Sequence, residues 1–151
     1  MTAAIRLPTA ADTHAFGIRL ARLLRAGDLV VLGGPLGAGK TALVQGIGAG
    51  LGVSGRIASP TFVIARVHPG PVPLVHVDAF RLGSLDEVDD LDLDVSADEA
   101  VTVVEWGAGK AEQLADSHLS VDLARAADSD ERTATLTPVG GDWAERVAAL
   151  T

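Results

Sequence analysis

The sequence predicts an α/β fold in which a mixed parallel and antiparallel sheet is flanked by helices. An apolar run at 29–32 is typical of a buried strand, and a glycine-rich turn and a helical pattern follow it. Apolar runs at 74–77 and 101–104 predict two further strands, and an acidic residue follows each of them. The turn sequence His-Pro-Gly-Pro at 68–71 separates two strand-like runs, so it predicts a hairpin and argues against a purely parallel sheet.

The length and composition indicate one globular domain that covers residues 1–151. The 151 residues suffice to bury one sizeable core, and 48% hydrophobic with 21% charged residues exclude a disordered chain. The absence of cysteine excludes disulfides and cysteine-based metal sites. The N-terminus has no apolar segment of signal-peptide length, and the chain has no apolar stretch of about 18 residues. We therefore expect a cytoplasmic protein without a membrane span.

The net charge of −8 argues against independent binding to a nucleic acid, because the average field repels a phosphate-rich polymer. Eight of the fourteen residues at 86–99 are acidic, which concentrates much of this charge in one segment. We interpret the segment as a solvated face, with a partner-docking surface as the alternative.

The sequence Gly-Pro-Leu-Gly-Ala-Gly-Lys-Thr at 34–41 is a complete G-x-x-x-x-G-K-[ST] phosphate-binding loop. The strand before it and the helix after it are the structural context that this motif needs. Amide groups of the turn and of the helix N-terminus form a concave anion site. Because glycine has no Cβ, a phosphate can approach this backbone closely. Lys40 can reach the outer phosphates, and the Thr41 hydroxyl can hold Mg²⁺. The predicted nucleotide-binding residues of the loop are Gly34, Leu36, Gly37, Ala38, Gly39, Lys40 and Thr41.

Asp78 and Glu105 are the candidate catalytic carboxylates. Each follows an apolar strand, and ligands in open α/β sheets bind beyond the carboxyl ends of the strands. Nucleotide hydrolysis needs a carboxylate that positions a metal ion or the attacking water. Either residue could bind Mg²⁺ directly or through water, or could orient the attacking water. The alternative is that each only caps its strand.

The missing guanine-reading motif N-K-x-D favours ATP over GTP. Lys40 and Lys110 are the only lysines, and neither lies in such a motif. A small-molecule kinase would need a mobile lid rich in arginine, and the chain has neither the length nor the arginine cluster for one.

The remaining segments complete the predicted sheet and its helices. Residues 3–7 form a short strand, and Thr9 and Asp12 form a capping box at the start of a helix that Gly27 closes. A second capping box at 84–87 begins a short helix. The chain ends with a hairpin and an amphipathic helix, which are predicted at 119–123, 133–136 and 143–150.

Four further residues lie close to these motifs. Thr61 lies in a proline-constrained loop and is either a switch that senses the γ-phosphate or part of an ordinary turn. Arg81 could contact phosphate or pair with the acidic segment, and Trp106 is either a core residue or an interface anchor. His76 shares a strand face with Asp78, and we interpret it as a satisfied structural histidine.

These motifs together resemble the TsaE (YjeE) family, small P-loop ATPases of bacterial tRNA threonylcarbamoyladenosine (t6A) synthesis. The resemblance runs over nearly the whole chain, and the order and spacing of the later motifs are much more specific than the phosphate loop alone. One departure is Phe80, where the family usually has tyrosine, so the ring is kept and a hydroxyl is lost. The matching residues are Thr13, Gly17, 34–41, 59–62, 76–82, Glu105 and Trp106.

The resemblance implies a three-layer domain of the P-loop NTPase type, a function and a set of site residues. Thr41 and Glu105 would be Mg²⁺ ligands with Asp78 essential nearby, and Arg132 would approach the nucleotide. The protein would bind TsaD and TsaB at their interface and use ATP hydrolysis to reset that complex between turnovers. Its connection with tRNA would run only through these partners.

We therefore predict an ATPase subunit in which Lys40, Asp78 and Glu105 carry the chemistry. Because no arginine finger is evident in so small a domain, hydrolysis should be slow for the protein alone and faster with its partner. Two alternatives stay open, a nucleotide-sensing module that does not need hydrolysis and a small-molecule kinase.

Overall fold

A computed structural model describes residues 2–34, 39–53, 65–78, 99–105, 117–125, 129 and 131–150. The described part of the chain contains seven strands and three helices. In chain order they are β1 (Ala3–Leu7), α1 (Ala10–Ala21), β2 (Leu29–Gly33), α2 (Lys40–Leu51), β3 (Ala65–His68), β4 (Leu74–Asp78), β5 (Val101–Glu105), β6 (His118–Arg125), β7 (Arg132–Val139) and α3 (Trp143–Ala148).

The described strands form one sheet in the order β1-β7-β6-β2-β5-β4-β3. Its centre is parallel, because β2 pairs in parallel with both β5 and β6 and β4 pairs in parallel with β5. Antiparallel strands flank this centre, with β3 beside β4 on one side and β7 and β1 beyond β6 on the other. The predicted fold class, a mixed sheet with flanking helices, is confirmed.

The central strand β2 is apolar on both faces. Val30 and Leu32 of β2 pack into the core with the helices, and Leu29 and Val31 on the other face are at most 4% exposed. A strand that is buried on both faces needs a continuous apolar run instead of an alternating one, which explains the sequence of 29–32.

Helix α1 begins at the predicted capping box. The Asp12 amide donates to Thr9 Oγ1 at 3.2 Å, and the Thr9 amide donates to Asp12 Oδ2 at 2.9 Å. These two bonds satisfy amide groups that have no partner within the first turn of the helix.

The prediction that Gly27 closes α1 is wrong. The helix ends at Ala21, with Arg22 as its C-cap, because the amides of the next residues bond to carbonyls only three positions back and tighten the last turn. Gly27 lies in the turn before β2, where its φ is 94° and its amide donates to the Ala100 carbonyl at 2.9 Å. Glycine is favoured there because few other residues adopt a positive φ.

The helices contribute to one hydrophobic core against the sheet. Phe16 of α1, Ile47 of α2 and Trp143 of α3 are each at most 2% exposed and belong to a single cluster with the strands. Val147 and Leu150 join this cluster from the C-terminal segment, as the predicted amphipathic helix requires.

Both predicted hairpins are present. In the first, His68 lies opposite Leu74, and the turn at 69–73 joins β3 to β4. The second hairpin is longer than predicted, because β6 and β7 each span eight residues. The second capping box at 84–87, its helix and positions 86–98 of the acidic segment lie outside the described residues. None of the helices in the described ranges is long and apolar enough to cross a membrane.

Candidate functional site

The phosphate-binding sequence leads directly into the N-terminus of α2. Gly39 is the residue before the helix, with φ 97° and ψ 16°, and no side chain caps the helix at this point. The left-handed backbone at Gly39 is unfavourable for residues with a Cβ, which explains the last glycine of the motif. A helix N-terminus that no side chain caps presents its amide groups and its positive dipole end to an anion.

Lys40 is the first residue of α2, and its side chain turns back over the start of the loop. The residue is only 6% exposed, and its Nζ donates to the Gly34 carbonyl at 2.7 Å. A buried ammonium group needs polar partners, and this bond holds its charge beside the first glycine of the motif. The lysine therefore lies at the helix N-terminus where an anion would bind.

Arg132, the first residue of β7, lies next to the C-terminal glycine of the motif. A Cβ built on Gly39 would lie 3.6 Å from Arg132 Nε and 3.8 Å from Thr13 Cγ2 of α1. A guanidinium group and a buried threonine thus both lie next to the start of α2. Arg132 has been brought to the loop by the β6–β7 hairpin, over more than 90 residues of sequence separation.

The two candidate carboxylates occupy matching positions on neighbouring parallel strands. Asp78 ends β4, Glu105 ends β5, and the register pairs these two residues with each other. On its other side Glu105 pairs with Leu32, two residues before the first glycine of the loop. Asp78, Glu105 and the loop therefore lie at the same carboxyl edge of the sheet, as the sequence predicts for ligand binding in an α/β protein.

Glu105 is buried, and a histidine holds one of its oxygens. The residue is 5% exposed, and its Oε2 lies 2.7 Å from His76 Nε2, while His76 itself is fully buried. The register explains this contact, because His76 and Glu105 share a face and lie diagonally across the β4–β5 pair. Sequence analysis placed both residues on strands, but it did not identify them as a pair.

Asp122 is a further acidic residue at the same edge that sequence analysis missed. It pairs with Gly33, and a Cβ on Gly33 would overlap its carboxylate. The register assigns Glu105 and Asp122 to opposite faces of the sheet. Glu105 pairs with Leu32, and Asp122 pairs with Gly33, the next residue along β2. Asp122 follows Val121 in an alternating strand, and that pattern is the only sequence signal it carries.

Several predicted site residues lie outside the described residues. The structure therefore makes no statement about their positions, and their assignments remain predictions. They are Leu36, Gly37 and Ala38 of the loop, together with Thr61, Arg81 and Trp106.

The residues at this edge fit Mg²⁺ by their chemistry. Thr41 supplies a hydroxyl in the first turn of α2, and Glu105 supplies a carboxylate, which are the oxygen ligands that a hard cation prefers. The described ranges contain no group of three or more His, Cys, Asp or Glu that could hold a metal ion. Such a cage is not needed, because Mg²⁺ in nucleotide sites is bound by one or two carboxylates, phosphates and water.

The parallel centre of the sheet, the uncapped helix start and the lysine over the loop define a P-loop type α/β protein. A family model described as "Threonylcarbamoyl adenosine biosynthesis protein TsaE" matches residues 7–134. This chain belongs to the TsaE family, so the recognition drawn from its motifs is confirmed.

Individual relatives agree with this membership. The chain is 60% identical over 136 residues to tRNA threonylcarbamoyladenosine biosynthesis protein TsaE of Streptomyces coelicolor. The aligned region covers 85% of this chain and 91% of the relative. It is 40% identical over 134 residues to the protein of the same name from Bacillus subtilis, with 87% and 83% covered. The structure is similar to the crystal structure of Bacillus subtilis YdiB, with a TM-score of 0.81, 31% identity and 99% and 94% of the two chains covered.

Proposed function

We propose that this protein is a Mg²⁺-dependent ATPase subunit that acts in the synthesis of threonylcarbamoyladenosine in tRNA. One observation carries the proposal: the start of α2, with Lys40 held against Gly34, lies at the same sheet edge as the paired positions Asp78 and Glu105. Family membership supports the pathway, because the relatives carry the name of tRNA threonylcarbamoyladenosine biosynthesis proteins.

In this proposal the phosphates of ATP bind at the N-terminus of α2. The amides of 36–41 surround them, and Lys40 exchanges its bond with the Gly34 carbonyl for the outer phosphates. A phosphate oxygen is the stronger acceptor, because it carries charge, and the helix dipole favours an anion at this end. Lys40→Ala should therefore weaken ATP binding, although this change tests the phosphate site alone.

Thr41 and Glu105 are the proposed Mg²⁺ ligands, and Asp78 positions the metal ion or the attacking water. Bound Mg²⁺ neutralises charge that develops on the phosphates during transfer. The buried state of Glu105 supports its role, because a carboxylate with little exposure to water needs charged or polar partners.

Arg132 is proposed to contact the nucleotide, because it lies beside Gly39 at the start of α2. Arg132→Ala should raise the Kd for ATP about tenfold or more, as expected for the loss of a charge-assisted hydrogen bond. Arg125→Ala is the matched control, since Arg125 is exposed and lies opposite Arg132 in the β6–β7 register. Titration calorimetry measures the Kd of both variants for ATP. Equal affinities would show that Arg132 does not contact the nucleotide.

Hydrolysis by the protein alone should be slow. Stimulation by a partner follows if that partner supplies the charge that stabilises the transition state, as arginine fingers do in trans. A turnover of the isolated protein in the kinase range, about 1–100 s⁻¹, would contradict this part of the proposal.

Glu105→Gln tests whether hydrolysis is required. The variant keeps an oxygen that accepts from His76 and loses only the charge, so we expect ATP binding to persist while hydrolysis and tRNA modification fail. Asp122→Asn is the matched control, because it removes one carboxylate from the same edge on the opposite face. Full tRNA modification by Glu105→Gln, with ATP and partner binding intact, would favour the nucleotide-sensing module instead.

The proposed partners are TsaD and TsaB, and contact with tRNA runs only through them. The net charge of −8 supports this division, because it disfavours direct contact with a polyanion. Thr61, Arg81 and Trp106 are the proposed switch or partner contacts. A pull-down with purified TsaD and TsaB, with and without ATP, tests the association, and its absence in both conditions would contradict it.

Two further parts of the proposal concern the chain as a whole. We propose that residues 1–151 form a single domain and that the protein acts in the cytoplasm. One shared core in the described residues supports the single domain. The kinase alternative predicts ATP consumption that depends on a metabolite and yields a phosphorylated product, and an assay without TsaD and TsaB distinguishes it.

A further inference from the structure

The contact between His76 and Glu105 is a deeply buried polar pair. His76 is 0% exposed, Glu105 is 5% exposed, and 2.7 Å separates Nε2 of the first from Oε2 of the second. The two strands that carry them are held in register by five residue pairs from Leu74–Val101 to Asp78–Glu105. The imidazole is therefore fixed by the sheet and not by a loop.

The direction of this hydrogen bond follows from the chemistry of the two groups. An ionised carboxylate only accepts hydrogen bonds, so the Nε2–H of His76 donates to Oε2 of Glu105. A glutamate at the end of a strand has three side-chain torsions, and one fixed donor restricts the rotamers that it can adopt. With Oε2 directed at His76, the carboxylate can adopt fewer orientations than a free one.

A purely structural role does not account well for a histidine at this position. The neighbours Val75 and Val77 fill the strand with apolar side chains that need no partner. His76 Nδ1, in contrast, is buried and has no hydrogen-bond partner among the described residues. A buried polar atom without a partner lowers stability, so an apolar side chain of similar size would serve packing alone better.

We propose that His76 is a positioning residue that orients the Glu105 carboxylate towards the metal ion, an inference that rests on the proposed function. Carboxylates that bind metal ions are commonly held by a second hydrogen-bonded group, and loss of that group typically weakens metal affinity 10- to 100-fold. His76 does not touch nucleotide in this scheme, and it acts only through Glu105.

The test compares two amides that differ in reach. Gln places its Nε2 as many bonds from Cβ as His76 places its own Nε2, whereas the Asn amide is one bond shorter. Binding of a fluorescent ATP analogue is measured against Mg²⁺ concentration and again in EDTA. We expect His76→Asn to raise the Mg²⁺ concentration that gives half-maximal binding of the analogue about 10- to 100-fold. His76→Gln should need a Mg²⁺ concentration much closer to that of the wild type. Binding in EDTA should be unchanged in both variants.

A double-mutant cycle separates positioning from packing. In the Glu105→Ala background, which has no side-chain acceptor for His76, His76→Asn should have little further effect on the Mg²⁺ requirement, because the two residues act as one unit. An unchanged Mg²⁺ requirement in His76→Asn, with a lowered Tm, would overturn the proposal and leave His76 a packing residue. If wild-type binding itself did not depend on Mg²⁺, the metal assignment in the proposed function would fail as well.

A measurement on the native chain keeps the proposal testable if the asparagine variant does not fold. In ¹⁵N-histidine NMR spectra, the Nε2 signal of His76 should shift when Mg²⁺ is added to the ATP-analogue complex. The same addition should leave that signal unmoved in Glu105→Gln. A wild-type signal that does not respond to Mg²⁺ would overturn the positioning role, even with Mg²⁺-dependent binding intact.

Discussion

Gly17 of α1 lies directly against Gly46 of α2, so that the backbones of the two helices are in contact. A Cβ on Gly17 would lie 2.9 Å from Gly46 Cα and 2.5 Å from the Leu43 carbonyl oxygen, both shorter than real Cβ contacts. This contact fixes α1 against the helix that begins with Lys40. Through it, Thr13 is placed beside Gly39 at the start of α2.

Gly17→Ala should destabilise the protein although alanine is the better helix former. The change would gain about 1 kcal/mol in helix propensity, but the added methyl group meets backbone atoms that cannot move aside. Overpacking of this kind costs about 1–3 kcal/mol, and we expect it to exceed the gain. Urea unfolding measures the net effect on the free energy of unfolding.

Ala15→Gly on the exposed face of α1 is the control for this prediction. It should cost about 1 kcal/mol through propensity alone, which calibrates the gain expected at Gly17. A Gly17→Ala variant more stable than wild type by that amount would show that the two helices can move apart.

Gly39→Ala and Gly52→Ala should lose similar stability but differ in nucleotide binding. Both glycines have a left-handed backbone, with φ of 97° and 73°, and a Cβ on either would make only ordinary contacts. The strain should therefore cost each variant about 1–2 kcal/mol. Only Gly39 precedes α2, so only Gly39→Ala should weaken ATP binding. Titration calorimetry measures the affinity of both variants for ATP. Equal affinities for the two variants would contradict a phosphate site at the start of α2.

Periodicity and turn chemistry predict the strands and the two antiparallel hairpins, because these depend on local sequence. The capping box at Thr9 and the acids that end β4 and β5 were predicted on this basis. The end of α1 was not, since the apolar pattern continues through Leu24 while the helix ends at Ala21. The end of a helix depends on where the following strand begins, and this is a tertiary constraint.

The neighbour relationships could not be predicted from spacing. His76 reaches Glu105 only because β4 and β5 are adjacent and in register over 29 residues of separation. Arg132 reaches Gly39 only because β7 returns beside β6. Sequence analysis assigned Arg132 to the nucleotide by family resemblance, and the structure places it 3.6 Å from a Cβ built on Gly39.

Arg146→Ala should destabilise the protein strongly, because Arg146 joins α3 to the segment before β2. Its guanidinium group donates to Asp28 Oδ2 at 2.6 Å and to the Leu23 carbonyl at 3.2 Å, and it lies 4.2 Å from the centre of the Trp143 ring. The two charged side chains of this ion pair are only 13% and 10% exposed. Loss of the arginine leaves the Asp28 carboxylate with the Arg25 amide, at 2.7 Å, but without its charged partner. We therefore expect a cost of about 2–4 kcal/mol.

Arg25→Ala is the matched control for Arg146. Both arginines form an ion pair with Asp142, but the Arg25 side chain is 60% exposed, so its pair should contribute less than about 1 kcal/mol. Thermal unfolding compares the two variants, and equal losses would show that burial does not strengthen the Arg146 pair.

His68 should make the stability of the protein fall as the pH falls below neutrality. Burial is the largest cause that lowers the pKa of His68 from its ordinary value of 6.5, and the positive charge of Arg66 lowers it further. The unfolded chain therefore binds a proton on this residue at a higher pH than the folded chain does. The stability from the neutral ring is complete above the unfolded pKa and is lost as the pH falls towards the folded one. His68→Gln should flatten the pH dependence of the free energy of unfolding below about pH 6.5. Urea unfolding measures this slope, and an unchanged slope would show that His68 is not its source.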